Sequence, residues 1–168
     1  MKTLKRCLVR VDNRLVHGQI LESWVPFLRA SRIIVVNDEV MGDIFRESII
    51  RMAVPKEIEV FVCGIDEFAG NRLGSAGKAA DEKETIVLFG GIDDVLRAYR
   101  LGVRFNSLNV GNVYDKDGKN RKIGTHLCLS DGEIDDLMML VRLGVDVEIR
   151  SVPRDRPESF AEAVRRIR

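Results

Sequence analysis

Apolar residues in this chain fall into two kinds of run. The first kind is short, unbroken and rich in β-branched residues: Cys7-Leu8-Val9, Ile33-Ile34-Val35-Val36, Val60-Phe61-Val62 and Ile86-Val87-Leu88-Phe89. Runs of this length without alternation predict strands buried on both faces. The second kind recurs at helical spacing. Ile20, Leu21, Trp24, Val25 and Leu28 share one face, as do Met41, Ile44, Phe45 and Met52. Ile92, Val95, Leu96 and Tyr99 form a third stripe, and Ile134, Leu137, Met138 and Val141 a fourth. A stripe of this kind predicts an amphipathic helix laid against a sheet.

The punctuation between the runs agrees. Ser130-Asp131-Gly132-Glu133 has the form of a capping box, with a hydroxyl and a carboxylate three residues apart ahead of an apolar stripe. Arg100-Leu101-Gly102-Val103 and Arg142-Leu143-Gly144-Val145 repeat one device: a basic last turn, a glycine C-cap, then a strand. The run from Val145 to Arg150 alternates strictly, as a half-exposed edge strand does, and Pro157 followed by Phe160, Ala163, Val164 and Ile167 predicts a final helix. Gly70 to Glu84 reads as a helix end plus loop, and Gly111 to Thr125 as a surface loop or irregular hairpin turning at Asp117-Gly118. Strand–helix alternation implies right-handed crossovers. The expected fold is a single α/β domain over residues 1–168. Its open, mainly parallel β-sheet carries helices on both faces and an antiparallel edge strand near the C-terminus.

Composition narrows the function classes. The net charge is +1, so no global basic field holds nucleic acid or an anionic membrane. The N-terminus lacks the pattern of a signal peptide, and no apolar run approaches a membrane span. Cys7, Cys63 and Cys128 lack zinc or redox spacing and are expected as reduced, packed thiols in a cytoplasmic protein.

In an open parallel sheet, ligands bind beyond the carboxyl ends of the strands, so the loop after the first long strand is the place to look for chemistry. It reads Val11-Asp12-Asn13-Arg14-Leu15-Val16-His17-Gly18-Gln19-Ile20. Neutral imidazole is a nucleophile, which gives His17 a use. Arg14 can grip phosphate oxygens in a bidentate manner. Asp12 can hold Arg14, or can fix the imidazole tautomer by accepting its second N–H. Backbone N–H groups from Gly18 onward add an anion site at a helix start, and glycine there admits close approach. The same residues also fit a capped helix start with a surface ion pair.

The stretch Arg10-Val11-Asp12-Asn13-Arg14-Leu15-Val16-His17-Gly18-Gln19 closely resembles the active-site loop of the IIB subunits of the mannose/fructose/sorbose phosphotransferase family, whose signature reads Arg-Ile-Asp-Asp-Arg-Leu-Ile-His-Gly-Gln. Arg32 to Val40, Val95-Leu96-Arg97 with Gly102-Val103, Ser107-Leu108-Asn109-Val110-Gly111, and Gly144 through Pro153 are similar to later segments of that family, in order. The resemblance implies a phosphoryl carrier in sugar uptake. His17 would accept a phosphoryl group, through the ring nitrogen nearer the backbone, from a phosphohistidine on a IIA protein or domain. It would then donate the group to a sugar held by membrane IIC/IID subunits. Arg14 and Asp12 match family positions that support the phosphohistidine. Asn13 and Gly18 complete the loop. The resemblance implies no metal and no diffusible cofactor, because the transfer needs only positioning and charge stabilisation. It places the chain in the cytoplasm, peripherally associated with a membrane transporter, with no nucleic-acid partner, no fused IIA domain and a possible homo-oligomer.

Asn13 stands where the family usually carries a second Asp, and Phe89-Gly90-Gly91 replaces a more polar loop. These departures, with a divergent Gly111–Thr125, also fit an orphan IIB-like protein whose phosphorylation state signals sugar uptake. Other candidates carry less. His126 reads as structural. Asn37-Asp38-Glu39 lacks the Gly-x-Gly-x-x-Gly of a ribose-binding partner and reads as a helix N-cap or a support for the His17 loop. Gly77-Lys78 has Arg72 where a P-loop needs glycine. In the Arg-rich tail, Asp155, Glu158 and Glu162 interleave with an apolar stripe, which fits a packed helix with a solvated face.

Overall fold

A computed structural model describes residues 2–5, 7–70, 84–113, 121–123 and 127–167. Seven strands form one sheet in the order β11-β10-β7-β2-β5-β3-β4. In chain order they are β2 (Cys7–Asp12), β3 (Arg32–Val36), β4 (Glu59–Cys63), β5 (Thr85–Phe89), β7 (Ser107–Asn112), β10 (Asp146–Ile149) and β11 (Glu158–Ser159). All pair in parallel except β10 with β11, which is antiparallel. Two short pairs lie outside the sheet: β1 (Lys2–Thr3) with β6 (Val103–Arg104), and the hairpin of β8 (Arg121–Ile123) and β9 (Leu127–Leu129).

The four apolar runs are the strands β2 to β5, and every residue of β3 and β5 is buried. Helices cover both faces, as expected for such strands. One face carries a π-helical turn (Ile20–Trp24) running into α1 (Val25–Leu28), together with α2 (Ile44–Ala53); Ile20, Trp24 and Ile50 pack there on Ile33, Val35, Ile86 and Leu88. The other face carries α3 (Ile65–Ala69), α4 (Ile92–Arg100), α5 (Asp131–Arg142) and α6 (Phe160–Arg165) over Val9, Val11, Val87 and Val110. The capping box is formed in full: the Ser130 Oγ accepts from the Glu133 N–H and the Glu133 carboxylate accepts from the Ser130 N–H. Gly102 (φ +101°) and Gly144 (φ +90°) end α4 and α5 in the left-handed region that only glycine adopts freely.

Three expectations are corrected. The alternating run ending at Arg150 is not the edge: β10 lies in parallel beside β7, and the antiparallel edge is the two-residue β11. Its alternation reflects one face packed on α5 and α6 rather than an open border. The helix expected from Pro157 begins only at Phe160, because Glu158 and Ser159 pair with β10 first. The stripe of Met41, Ile44, Phe45 and Met52 exists but faces outward: Ile44 is 82% and Met52 85% exposed, while Ile50 holds the inner side. The Gly111–Thr125 stretch is in part sheet, since β7 runs to Asn112 and Ile123 ends β8. Residues 71–83, including the Gly77-Lys78 pair, residues 114–120, and His126 lie outside the described residues. The three cysteines carry free thiols.

Candidate functional site

β2 is central, between β7 and β5. The chain leaving it crosses to the face of α1 and α2, whereas the chain leaving β5 and β7 crosses to the other. Adjacent strands that send their connections to opposite faces open a crevice at their carboxyl ends. The loop from Asp12 to His17 fills that position. Its backbone turns through Leu15, a non-glycine residue at φ +55°, whose N–H bonds to the Asp12 C=O at 2.9 Å. The buried Leu15 side chain anchors this strained conformation in the core. The helix then opens at residue 18: the Ile20 and Leu21 N–H groups both reach the His17 C=O, which leaves the Gly18 and Gln19 N–H groups ahead of the first intrahelical bond.

Asp12 organises the loop and is fully buried. One oxygen, Oδ1, accepts from the Arg14 N–H at 3.1 Å and from Arg14 Nε at 3.4 Å. The other, Oδ2, lies 3.0 Å from His17 Nε2 and accepts from Arg10 Nη2 at 2.9 Å. Burial pushes this carboxyl upward, but the His17 hydrogen bond and the Arg10 charge outweigh it and hold it below the ordinary carboxylate range. Asp12 is therefore ionised near neutrality and can only accept. In the neutral ring the proton of the contact belongs to Nε2, and the lone pair is left on Nδ1. Its stabilising contribution is complete above the unfolded value near ~4 and is lost as pH falls through the lower folded value.

The expected residues come together, with different duties. Arg14 is about one-third exposed and also donates to the Gln19 Oε1 at 2.8 Å, so its guanidinium stands at the loop surface with Asp12 behind it. Asn13 turns away: its amide donates to the Gly90 C=O at 3.3 Å, and its N–H to the Asn112 C=O at 3.0 Å. Gly18 has open space around it, with Glu22 Oε1 the nearest neighbour at 4.0 Å from where a Cβ would stand. Asn37 caps its own turn by accepting from the Val40 N–H. The N-cap of α2 is Asp43, not Asp38. Asp38 instead accepts from the Ile65 N–H at 2.8 Å and from Arg97 at 2.9 Å. Among the described residues no group of three His, Cys, Asp or Glu side chains is placed to hold a metal ion.

Three residues of this site went unrecognised in the sequence as parts of it. Arg10 is fully buried, and its guanidinium bonds Asp12, the Asn109 side chain, the Arg150 C=O at 2.9 Å and the Ser151 C=O at 3.1 Å, with the Trp24 ring 5.4 Å away. Asn109 is held in turn by Glu148 at 2.8 Å. Gly111 falls at a register shift, where Val11 pairs with Val110 but Asp12 with Asn112. A Cβ on Gly111 would stand 1.9 Å from Arg10 Nη2. The sequence signal was available: Arg10 and Asp12 are two apart, on one side of a strand whose other residues are apolar, so each charge needs the other.

A second acidic group follows the carboxyl end of β5. Asp94, near the start of α4, has its carboxyl raised to about 6 by burial and by the charges of Asp93 and Asp38, against Arg97. A raised carboxyl costs stability once ionised, and the cost grows as pH rises from the unfolded value to the folded one. Asp94→Asn is expected to raise the urea midpoint at pH 7 and to leave it nearly unchanged at about pH 3, where the carboxyl is largely protonated in both states of the wild type.

Comparison with known proteins decides the family. The model of the PTS system sorbose subfamily IIB component matches residues 6–167. The chain belongs to this family. A sorbose-specific EIIB component from Klebsiella pneumoniae is 32% identical over 149 residues, 88% of each chain. The mannose-specific EIIAB component of Escherichia coli K12 is 31% identical over 148 residues, which are 88% of this chain and 45% of that one; the chain thus spans about half the length of that relative. Among solved structures, the IIBSor domain of the sorbose permease from Klebsiella pneumoniae superposes with a TM-score of 0.84 at 28% identity, covering 100% of this chain and 99% of that one. The chain is thereby a IIB component of a PTS system, and among its described residues no helix is long and apolar enough to cross a membrane.

Proposed function

We propose that this chain, as one IIB domain over residues 1–168, carries a phosphoryl group on Nδ1 of His17. The observation that carries the reading is the 3.0 Å contact between His17 Nε2 and Asp12 Oδ2 on a carboxylate that Arg10 holds ionised. It aims the free lone pair of the ring at an incoming phosphorus.

The lone pair on Nδ1 attacks the phosphorus of a phosphohistidine on a IIA donor. The donor's P–N bond breaks and its ring nitrogen keeps the electron pair. Arg14 and the Gly18 and Gln19 N–H groups hold the phosphoryl oxygens, while Asp12 balances the positive charge that develops on the His17 ring. The second transfer repeats the step outward. A sugar hydroxyl held by membrane IIC/IID subunits takes the phosphoryl group and releases its proton, and the pair returns to Nδ1. The site is an open loop on the protein surface, which suits a group that must be reached in turn by two macromolecules. The chain would therefore work in the cytoplasm beside the membrane subunits.

Asn13 favours a second reading, in which phosphorylation signals sugar uptake to a partner protein. Its amide donates to the Gly90 C=O, which an ionised Asp cannot do, and it lacks the negative charge that the family's usual Asp carries in this loop. A gene for a IIC/IID pair next to this one would support transport, and its absence would support signalling.

The deciding experiment incubates the chain with phosphoenolpyruvate, the general phosphotransferase proteins and a IIA protein. Wild type is expected to gain an acid-labile, alkali-stable phosphate that His17→Ala lacks. A wild type that stays unlabelled while the IIA protein is phosphorylated would remove the carrier reading.

A further inference from the structure

The outward stripe of α2 is the largest anomaly outside the His17 loop. Met41, Ile44, Phe45, Ile49 and Met52 are between 44% and 85% exposed; the last four lie along one side of α2, and Met41 stands in the turn just before it. The sheet needs only Ile50 from α2, so the stripe is not required for the core. Exposed together, these side chains form a contiguous apolar patch of the kind that marks an interaction surface.

We propose that this face packs against the same face of a second copy of the chain, with the two α2 helices antiparallel across a two-fold axis near Ser48. Three observations select this occupant. First, the charges around the stripe are divided along the helix. Glu39, Asp43 and Glu47 stand at or just before the N-terminal half, where Arg46 pairs with Glu39 and Asp43, whereas Arg51, which reaches back to Glu47, and Lys56 stand at or just past the C-terminal end with Glu57. An antiparallel pair sets the acidic half of each copy against the basic half of the other, whereas a parallel pair opposes like charges. Second, Ser48 is exposed at the middle of the stripe, where its small side chain is turned back to the Ile44 C=O at 2.7 Å. Two helices can therefore approach closely at that point, with residue 44 of each copy facing residue 52 of the other.

Third, the stripe begins at the carboxyl end of the sheet and runs away from it. The N-terminus of α2 lies at the carboxyl end of the sheet, where Met41 packs against the position of Gly64 just after β4. The helix then runs some ~15 Å toward the opposite end. Ile49 and Met52 thus lie toward the opposite end from the His17 loop, where a second copy can stay in place while partners reach that loop in turn. The neighbouring sheet edge is not the contact: Arg51 bonds the Val60 C=O of β4 at 3.0 Å and blunts it. This inference stands apart from the phosphoryl reading and survives if that reading fails.

Sedimentation velocity of the full chain at micromolar concentration tests it. Wild type is expected as a dimer. Ile44→Glu is expected as a monomer with an unchanged unfolding midpoint, since residue 44 is 82% exposed and supports no core contact. Ile44→Glu combined with Met52→Lys is expected to dimerise again through the new cross-pairs. A monomeric wild type, or a dimer that survives Ile44→Glu, would overturn the interface. Loss of the dimer without rescue by the double variant would overturn the antiparallel arrangement.

Discussion

Replacing Asp12 by Asn is expected to slow phosphoryl transfer through His17 by about 100-fold or more, the usual cost of losing alignment at a reacting atom. The carboxylate serves donors on both oxygens: Arg10 and His17 at Oδ2, and the Arg14 N–H and Nε at Oδ1. An amide has one acceptor. With its NH2 at the Oδ2 position it opposes Arg10 and drives His17 Nε2 to become the acceptor, which moves the ring proton onto Nδ1. With its NH2 at the Oδ1 position it opposes Arg14 and releases the guanidinium. Either orientation leaves Arg10 as an uncompensated buried charge, which costs about 3 kcal/mol or more. Labelling kinetics at a temperature where the variant is folded separate the slower transfer from the lower urea midpoint. Near-normal transfer would show that Asp12 is only a structural partner of Arg10.

Gly111→Ala is the second large effect, and it acts through Arg10. The new Cβ would lie 1.9 Å from Nη2 and 2.0 Å from Cζ, so the guanidinium has to move. A surface arginine would swing aside at little cost. This one is bound on Asp12, Asn109 and two backbone carbonyls, and is walled by Trp24. Displacing it combines overpacking with the loss of a buried ion pair, for an expected loss of about 3 kcal/mol or more by urea unfolding. The loss should be accompanied by slower labelling of His17, because Asp12 loses the charge that holds it. Gly111→Ala that folds and transfers normally would mean that Arg10 has a second position the cradle tolerates.

Most of the frame was legible because burial leaves a pattern. The four β-branched runs became β2 to β5, Ser130 and Glu133 formed the capping box, and Gly102 and Gly144 took the positive φ their place after a helix requires. The His17 loop was legible through resemblance, since imidazole, guanidinium and carboxylate in one turn also fit a simple helix cap. What stayed hidden had polar residues in buried places. β7 alternates Ser107, Asn109 and Gly111 with Leu108 and Val110, so it lacks the run of a central strand, although Asn109 is buried against Arg10. Arg10 itself resembles a solvated charge until its partner two residues on is considered. The α2 stripe misled for the converse reason: amphipathic spacing shows that a face will be covered, and does not say by what.

The central claim is that Asp12 reserves Nε2 of His17 and leaves Nδ1 to carry the phosphoryl group. Long-range ¹H–¹⁵N correlation of the ¹⁵N-labelled chain, before and after phosphorylation, tests it most directly. An Nε2–H ring is expected in the free protein, and phosphorus coupled to Nδ1 in the phosphorylated one. Phosphorus on Nε2, or a free ring protonated at Nδ1, would contradict it.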